Sequence, residues 1–374
     1  MTILSAPHLW PASRAGATLT VDLKAIAKNY RFLRDRVGTA VCAVVVKADA
    51  YGLGAEQVAP ILEREGAKEF FVAHVDEGIA LRQIVSPETR ITVLHGPRPG
   101  AAAECVYFGL RPVLNSLEQI DLWKREAARE GAVLEAVIQL DSGMSRFGLS
   151  WADVRKLSDD QTLLDGISIG LVMSHLACAD DPASAANQIQ RQRFRDMAAL
   201  MPAAPLSLSA SSGIFLGTDY HMDLVRPGAA LYGIAPNAEL PNPLQQVVSL
   251  HARVLQLRDV GVGDAVGYGL TYRPEKPRRI ATVAVGYADG FSRHNSGTGC
   301  AWLGDIALPI VGRVSMDSLA LDVSAVPESQ LHADMYVDLI GPRRSVDDVA
   351  ASAGTIGYEI LTSLGGRYYR EYVE

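Results

Sequence analysis

Lys47 ends an unbroken run of apolar and small residues, Val-Cys-Ala-Val-Val-Val at 41–46, and is followed by Ala-Asp-Ala-Tyr-Gly-Leu-Gly to position 54. A continuous β-branched run of this kind suits a strand covered on both faces. Lys47 then falls at or near the strand's C-terminal end, where α/β folds gather their chemistry. An amine leaving apolar surroundings is poorly hydrated, which disfavours its charged form. A neutral lysine can form a Schiff base with an aldehyde such as pyridoxal phosphate. Taken alone, the stretch reads equally as a lysine snorkelling out of a strand end. Ser-Ala-Ser-Ser-Gly at 209–213 offers hydroxyls ahead of an expected helix start, a pattern that suits a phosphate or an ordinary helix cap. Arg226, in Leu-Val-Arg-Pro-Gly-Ala-Ala-Leu-Tyr-Gly, is a hydrogen-bond donor and never an acceptor, and at a strand end before proline it reads as a surface ion pair.

The words Val-Val-Lys-Ala-Asp-Ala-Tyr-Gly-Leu-Gly resemble the cofactor-lysine motif of alanine racemases, pyridoxal-phosphate enzymes built on an α/β barrel, and later segments repeat the likeness in order. The resemblance implies two bases on opposite faces of an amino acid's α-carbon: Lys47 on one and Tyr268, in Val-Gly-Tyr-Gly-Leu-Thr-Tyr at 266–272, on the other. An unperturbed phenol titrates near pH 10, so Tyr268 needs help to act near neutrality. The same resemblance assigns Tyr51, Ser212, Gly228 and Ala229 to the cofactor phosphate, Arg226 to the pyridine nitrogen and His175 to the side of the ring. It assigns Arg146, in Leu-Asp-Ser-Gly-Met-Ser-Arg-Phe-Gly, and the Met316 N–H, in Val-Gly-Arg-Val-Ser-Met-Asp, to the substrate carboxylate. Asp317 supports that segment and Tyr287 lines the entrance. Tyr268 reaches the active site of the partner subunit in a head-to-tail homodimer.

Two positions depart from the family pattern. Gln139 stands where many members carry a carbamylated lysine that holds the arginine; its amide oxygen is expected to accept a hydrogen bond from Arg146 instead. Gly366 stands where many members place a phosphate-binding tyrosine, with Tyr368 and Tyr369 two and three residues further on.

Strand and helix patterns alternate for roughly 200 residues, from a helix capped by Asp22 through strands near 41–46, 70–75, 91–94, 112–114, 134–140, 167–174, 205–209 and 224–226. About eight βα units fit, which predicts a (β/α)8 barrel over 1–243, a span that also includes a short strand expected at Leu19–Val21. A doubly wound sheet is the alternative by pattern, but Gly261, Gly263 and Gly267 lack the spacing and following helix of a dinucleotide site. Beyond Pro241–Pro243 the texture changes to strands separated by Gly and Pro, which predicts a mainly antiparallel β domain over 244–374 with a late helix pair.

The 374 residues are enough for two domains, and a formal charge of −7 argues against a large nucleic-acid surface. Cys42, Cys105, Cys178 and Cys300 are scattered, without a CxxC pair, which fits free thiols in a reducing compartment. With no signal-peptide pattern and no apolar stretch of about 18 residues, a cytoplasmic protein without a membrane partner or a metal is expected. The leading expectation is alanine racemisation. A racemase of wider range, acting on serine for example, is the first alternative. A non-catalytic cofactor-binding barrel and a decarboxylase follow; Tyr268 argues against the former and Arg226 against the latter.

Overall fold

The computed structural model describes residues 3–4, 11–237 and 240–374. The chain divides into two compact units, one of residues 26–245 and one that joins residues 1–25 to 246–374.

In the first unit, seven parallel strands run in the order Leu206–Ser207, Ile167–Met173, Leu134–Gln139, Leu110–Leu114, Arg90–Val93, Glu69–Val72 and Val44–Val45. The segment from Asp223 to Pro227 closes the ring. On one side it accepts the N–H groups of Val41, Ala43 and Val45; on the other it donates from Asp223 and Arg226 to Leu206 and Ser209. Eight parallel strands with intervening helices thus form the expected barrel. Its strands are covered on both faces, as in Glu69–Val72 and Leu110–Leu114, where every residue is buried. Asn29 ties the last turn of the chain in this unit to the Leu23–Val37 helix, accepting from Gln245 N (2.7 Å) and donating to Gln245 O (2.8 Å) and Leu231 O (3.2 Å).

A charged cluster occupies four neighbouring strands, toward their N-terminal ends. Arg111 donates to Glu69 (2.6 Å), Glu135 (2.8 Å) and Thr92 (3.0 Å), with Arg111 and Glu69 both buried. Gly170 leaves room for Glu135, whose carboxylate a Cβ there would strike. Such a cluster at the bottom of a barrel stabilises the fold and leaves the opposite face for chemistry.

The second unit holds the antiparallel sheet expected after residue 243, and more. Val248–Val260, Arg278–Val283, Leu319–Asp322, Ile306–Val311, Cys300–Leu303 and Tyr336–Ile340 pair in that order, and the last returns to pair with the first. Helices Val346–Ala353 and Gly357–Ser363 follow. Ala17–Asp22, which contains the short strand expected at Leu19–Val21 within the barrel span, lies here instead, antiparallel to Val248–Val260 and parallel to Tyr369–Val373. The reason is visible in its residues: Ala17, Leu19 and Val21 are buried and alternate with partly exposed Thr18, Thr20 and Asp22. That is the period of a one-sided sheet, not of a barrel strand buried on both faces.

Candidate active site

Lys47 stands where the Val44–Val45 strand ends, and the chain then does something the sequence did not signal. Ala48, Asp49, Ala50 and Tyr51 are all left-handed, with φ between 52° and 58°. For L-residues each such position costs about 1–2 kcal/mol, so surrounding bonds must hold the turn. Ala48 N donates to Glu77 Oε1 (2.8 Å), Ala50 N to Val46 O (2.9 Å) and Gly54 N to Asp49 O (2.9 Å). Asp49 Oδ1 accepts from Ala55 N (2.7 Å), at the start of the next helix. The turn carries Tyr51 inward, where its ring packs on Tyr232 at 4.8 Å and its hydroxyl abuts Gly228. A Cβ on Gly228 would collide with that hydroxyl, so glycine is required there.

The Gly228 loop faces a serine pair. Ser211 is buried, and its Oγ accepts the N–H groups of Gly228 (3.0 Å) and Ala230 (3.1 Å). Ser212, the residue singled out in the sequence, is half-buried at the start of the Ser212–Leu216 turn. Two adjacent serines cannot be told apart by type, and Ser211 was passed over. Together Tyr51, Ser211, Ser212, Gly228 and Ala229 make a small polar cradle with donors and no carboxylate, which fits a phosphate.

Arg226 is buried and points all its bonds at acceptors: Ser207 Oγ, Ser174 O (2.6 Å) and Leu208 O (3.4 Å). Burial lowers its pKa to about 10, and it remains a cation at neutral pH. His175 lies close to Arg226, Arg146 and Lys47. Burial first, then those three charges, push its pKa down to about 3, so the ring is neutral at pH 7. Gln190 fixes its position, donating to His175 O (3.1 Å) and accepting from Ala177 N (2.8 Å). Burial and the Arg146 charge likewise hold the Lys47 amine below the ordinary lysine range, while Glu77 acts in the opposite sense.

Arg146 is exposed, with its guanidinium 5.7 Å from the Phe147 ring centre. Gln139, 6% exposed at the end of its strand, makes no side-chain hydrogen bond to Arg146 or to any other described residue. The expected amide-to-guanidinium bond is absent because Arg146 stacks on Phe147, which packs in turn on His95 at 5.4 Å. A cavity of about 450 Å³ opens beside Arg146, walled by His95, Gln119, Asp141 and Phe147.

The remaining predicted residues lie in the second unit. Tyr268 is 71% exposed on a short turn between Gly267 (φ 78°) and Gly269 (φ 73°), both packed on Arg313. Tyr287 N donates to Ser315 O (3.0 Å) and Ala288 N to Met316 O (2.9 Å), so the Tyr287 and Met316 turns are bound together. Gly286 permits this approach: a Cβ there would strike both carbonyls. The Met316 N–H itself bonds to no described residue and is available to a ligand. Asp317 is held by Arg367 (2.7 Å), which also grips Asp289 through two bonds (2.6 and 2.7 Å). Gly366 is exposed beside open space and contributes no hydroxyl. Tyr368 is buried, and its hydroxyl has no partner among the described residues; burial drives its pKa upward.

The profile of the alanine racemase N-terminal domain matches residues 21–236, and that of the alanine racemase C-terminal domain matches residues 247–372. The chain belongs to the alanine racemase family. Among relatives of that family, a catabolic alanine racemase of Mesorhizobium japonicum is 51% identical over 366 residues, spanning 97% of this chain and 96% of the relative. An alanine racemase of Brucella canis is 47% identical over 372 residues, spanning 96% and 94%. Among solved structures, the alanine racemase of Bartonella henselae with covalently bound pyridoxal phosphate superposes with a TM-score of 0.93 at 39% identity. That match covers 96% of this chain and all of the other. Among the described residues no helix is long and apolar enough to cross a membrane, and no group of three or more metal-ligating side chains gathers.

Proposed function

We propose that this chain is a pyridoxal-phosphate-dependent alanine racemase that interconverts L- and D-alanine by moving the α-proton between two bases. The observation that carries the reading is the Lys47 turn. One strained segment delivers an amine whose charged form burial disfavours and a tyrosine hydroxyl against the Gly228 cradle. Lys47 would hold the cofactor carbonyl carbon; Tyr51, Ser211, Ser212, Gly228 and Ala229 would hold its phosphate. Arg226 offers its Nε–H, which bonds to no described residue, to the ring nitrogen. Neutral His175 flanks the ring. When bound, pyridoxal phosphate supplies an electron-withdrawing ring that acidifies the α-carbon of the amino acid it carries.

The chain's own groups then divide the work. Once free, the Lys47 amine takes or returns the proton on one face, which needs a pKa near working pH. The Tyr268 phenol does so on the other. Arg146 and the Met316 N–H fix the substrate carboxylate, with Asp317 steadying the Met316 turn through Arg367. Arg226, a donor that remains protonated, leaves the ring nitrogen without a proton of its own, which weakens the electron sink and favours rapid return of the proton over transamination. Tyr287 adds bulk at the entrance and favours a methyl side chain. Lys47 and Tyr268 lie in different compact units, and we assign Tyr268 to the partner's site in a cytoplasmic homodimer whose barrel unit binds the cofactor.

The test is isotopic. L-alanine incubated with the cofactor-loaded protein in deuterium oxide is expected to yield D-alanine labelled at Cα, with serine and longer amino acids turning over far more slowly. Cα exchange without formation of the D-enantiomer, or no exchange at all, would contradict the reading.

A further inference from the structure

Glu77 belongs to none of the motifs assigned above. It occupies the third position of the Val75–Arg82 helix, and its Oε2 accepts the N–H groups of Ala73 (2.7 Å) and His74 (3.1 Å). An acid at that position ordinarily serves its own helix in this way. Its Oε1 reaches outside the helix and accepts the N–H of Ala48 at 2.8 Å, the residue next to Lys47 and the first of the left-handed turn. The carboxylate therefore joins two corners of the barrel's C-terminal face.

The surroundings give this bond a purpose. The charged and titratable groups that act on Lys47 or feel its charge are Arg146, His175, His95 and Glu77. Arg146 is a permanent cation, the two histidines are neutral when they lose their protons, and Glu77 is the anion. Both Glu77 oxygens are engaged by backbone donors, so its charge stays fixed beside the amine without closing an ion pair on it.

We propose that Glu77 is a positioning residue for the Lys47 amine. It pins the backbone at Ala48 to the start of the Val75–Arg82 helix and sets a stationary negative charge in an otherwise cationic group. This rests on the reading of Lys47 as the cofactor lysine. An amine that must leave the cofactor and come back needs a backbone that does not move with it. Misplacement by about an ångström is enough to cost two orders of magnitude in rate.

The test compares Glu77→Gln with Asp153→Asn. Asp153 fills the corresponding place in the Trp151–Asp159 helix, bonding Ser150 N and Oγ, and has no tie to Lys47. Each holoprotein is stripped of cofactor, and recapture of pyridoxal phosphate is followed by visible absorbance across pH. Capture requires the neutral amine, so the midpoint reports Lys47. Glu77→Gln is expected to move the midpoint to lower pH and to lower kcat for alanine by about tenfold or more, with KM little changed. Asp153→Asn is expected to lower thermal stability alone. A Glu77→Gln protein with the parent's midpoint and kcat, and only a lower melting temperature, overturns the proposal. Should Glu77→Gln not fold, Glu77→Asp keeps the charge but shortens the reach to Ala48. It is expected to hold the midpoint and lose kcat, and an unchanged kcat overturns the proposal. A parent chain that captures no cofactor at Lys47 would instead defeat the reading of the site.

Discussion

Lys47 can work as a nucleophile and as a base only in its neutral form, and burial with the Arg146 charge shifts it in that direction. The amine is half-buried, with Arg146 nearby, and the same strand end that buries it feeds the turn that places Tyr51. Gly228 is the point where this economy is most exposed to mutation. Gly228→Ala forces the Tyr51 hydroxyl aside, an overpacking cost of about 1–3 kcal/mol. Retention of pyridoxal phosphate on dialysis is expected to weaken by roughly ten- to a hundredfold, and the melting temperature of the stripped protein to fall by the few degrees that overpacking implies. At this scale the sequence was legible wherever a residue type is singular. Lys47, Arg226, His175 and Arg146 stand out by type in their segments, and the fold brings His175 within the influence of the other three. It was illegible where types repeat or geometry is hidden. Ser211 and Ser212 differ only by register, and a left-handed turn built from Ala, Asp, Ala and Tyr carries no glycine to announce it.

Strands and helices set how much these side chains can be trusted to stay put. The Arg111–Glu69 pair shows the barrel strands doing so far from the chemistry. Arg111→Met leaves Glu69 buried with a single, largely exposed partner in Arg90, and removing one member of a buried pair costs about 3–5 kcal/mol. Urea unfolding is expected to register that loss, with kcat per folded molecule unchanged because the cluster sits at the opposite end of the strands from Lys47. In the second unit, His251 on Val248–Val260 pairs with Asp338 on Tyr336–Ile340 at 2.7 Å. The hydrogen bond to Asp338 raises the His251 pKa against the opposing effect of burial. A raised folded-state value stabilises the protein below the unfolded histidine pKa of about 6.5, and the gain is lost as pH rises through the folded value. Asp338→Asn is therefore expected to destabilise the protein at pH 5.5 and to matter little at pH 9, as read by urea midpoints at both. The elements themselves were largely readable from period and composition. The strand at Ala17–Asp22 was not placed correctly, because its partners lie more than 220 residues away and sequence proximity favoured the barrel.

Across the whole molecule, the residues proposed for the chemistry are divided between two units. The barrel unit carries Lys47, Tyr51 and Arg226, and Tyr268 lies outside it. The other unit presents Tyr268, Tyr287 and Met316 at an exposed face where the Met316 N–H awaits an acceptor. The Tyr268 phenol is 71% exposed, and the proposed role places it against another surface that supplies a neighbouring positive charge or hydrogen-bond donor. The two-domain plan was legible in the change of texture after Pro243, whereas the contribution of the first 25 residues to the second unit was not.

The central claim is that Lys47 and Tyr268 of different copies flank one α-carbon. Lys47→Ala and Tyr268→Ala chains, each inactive, are to be mixed in equal amounts under conditions where subunit exchange is verified, and alanine racemisation measured. A randomly exchanged pool of dimers is expected to recover about a quarter of all sites, since half the dimers are mixed and each mixed dimer rebuilds one site of two. Verified exchange with no recovery of activity would contradict the account.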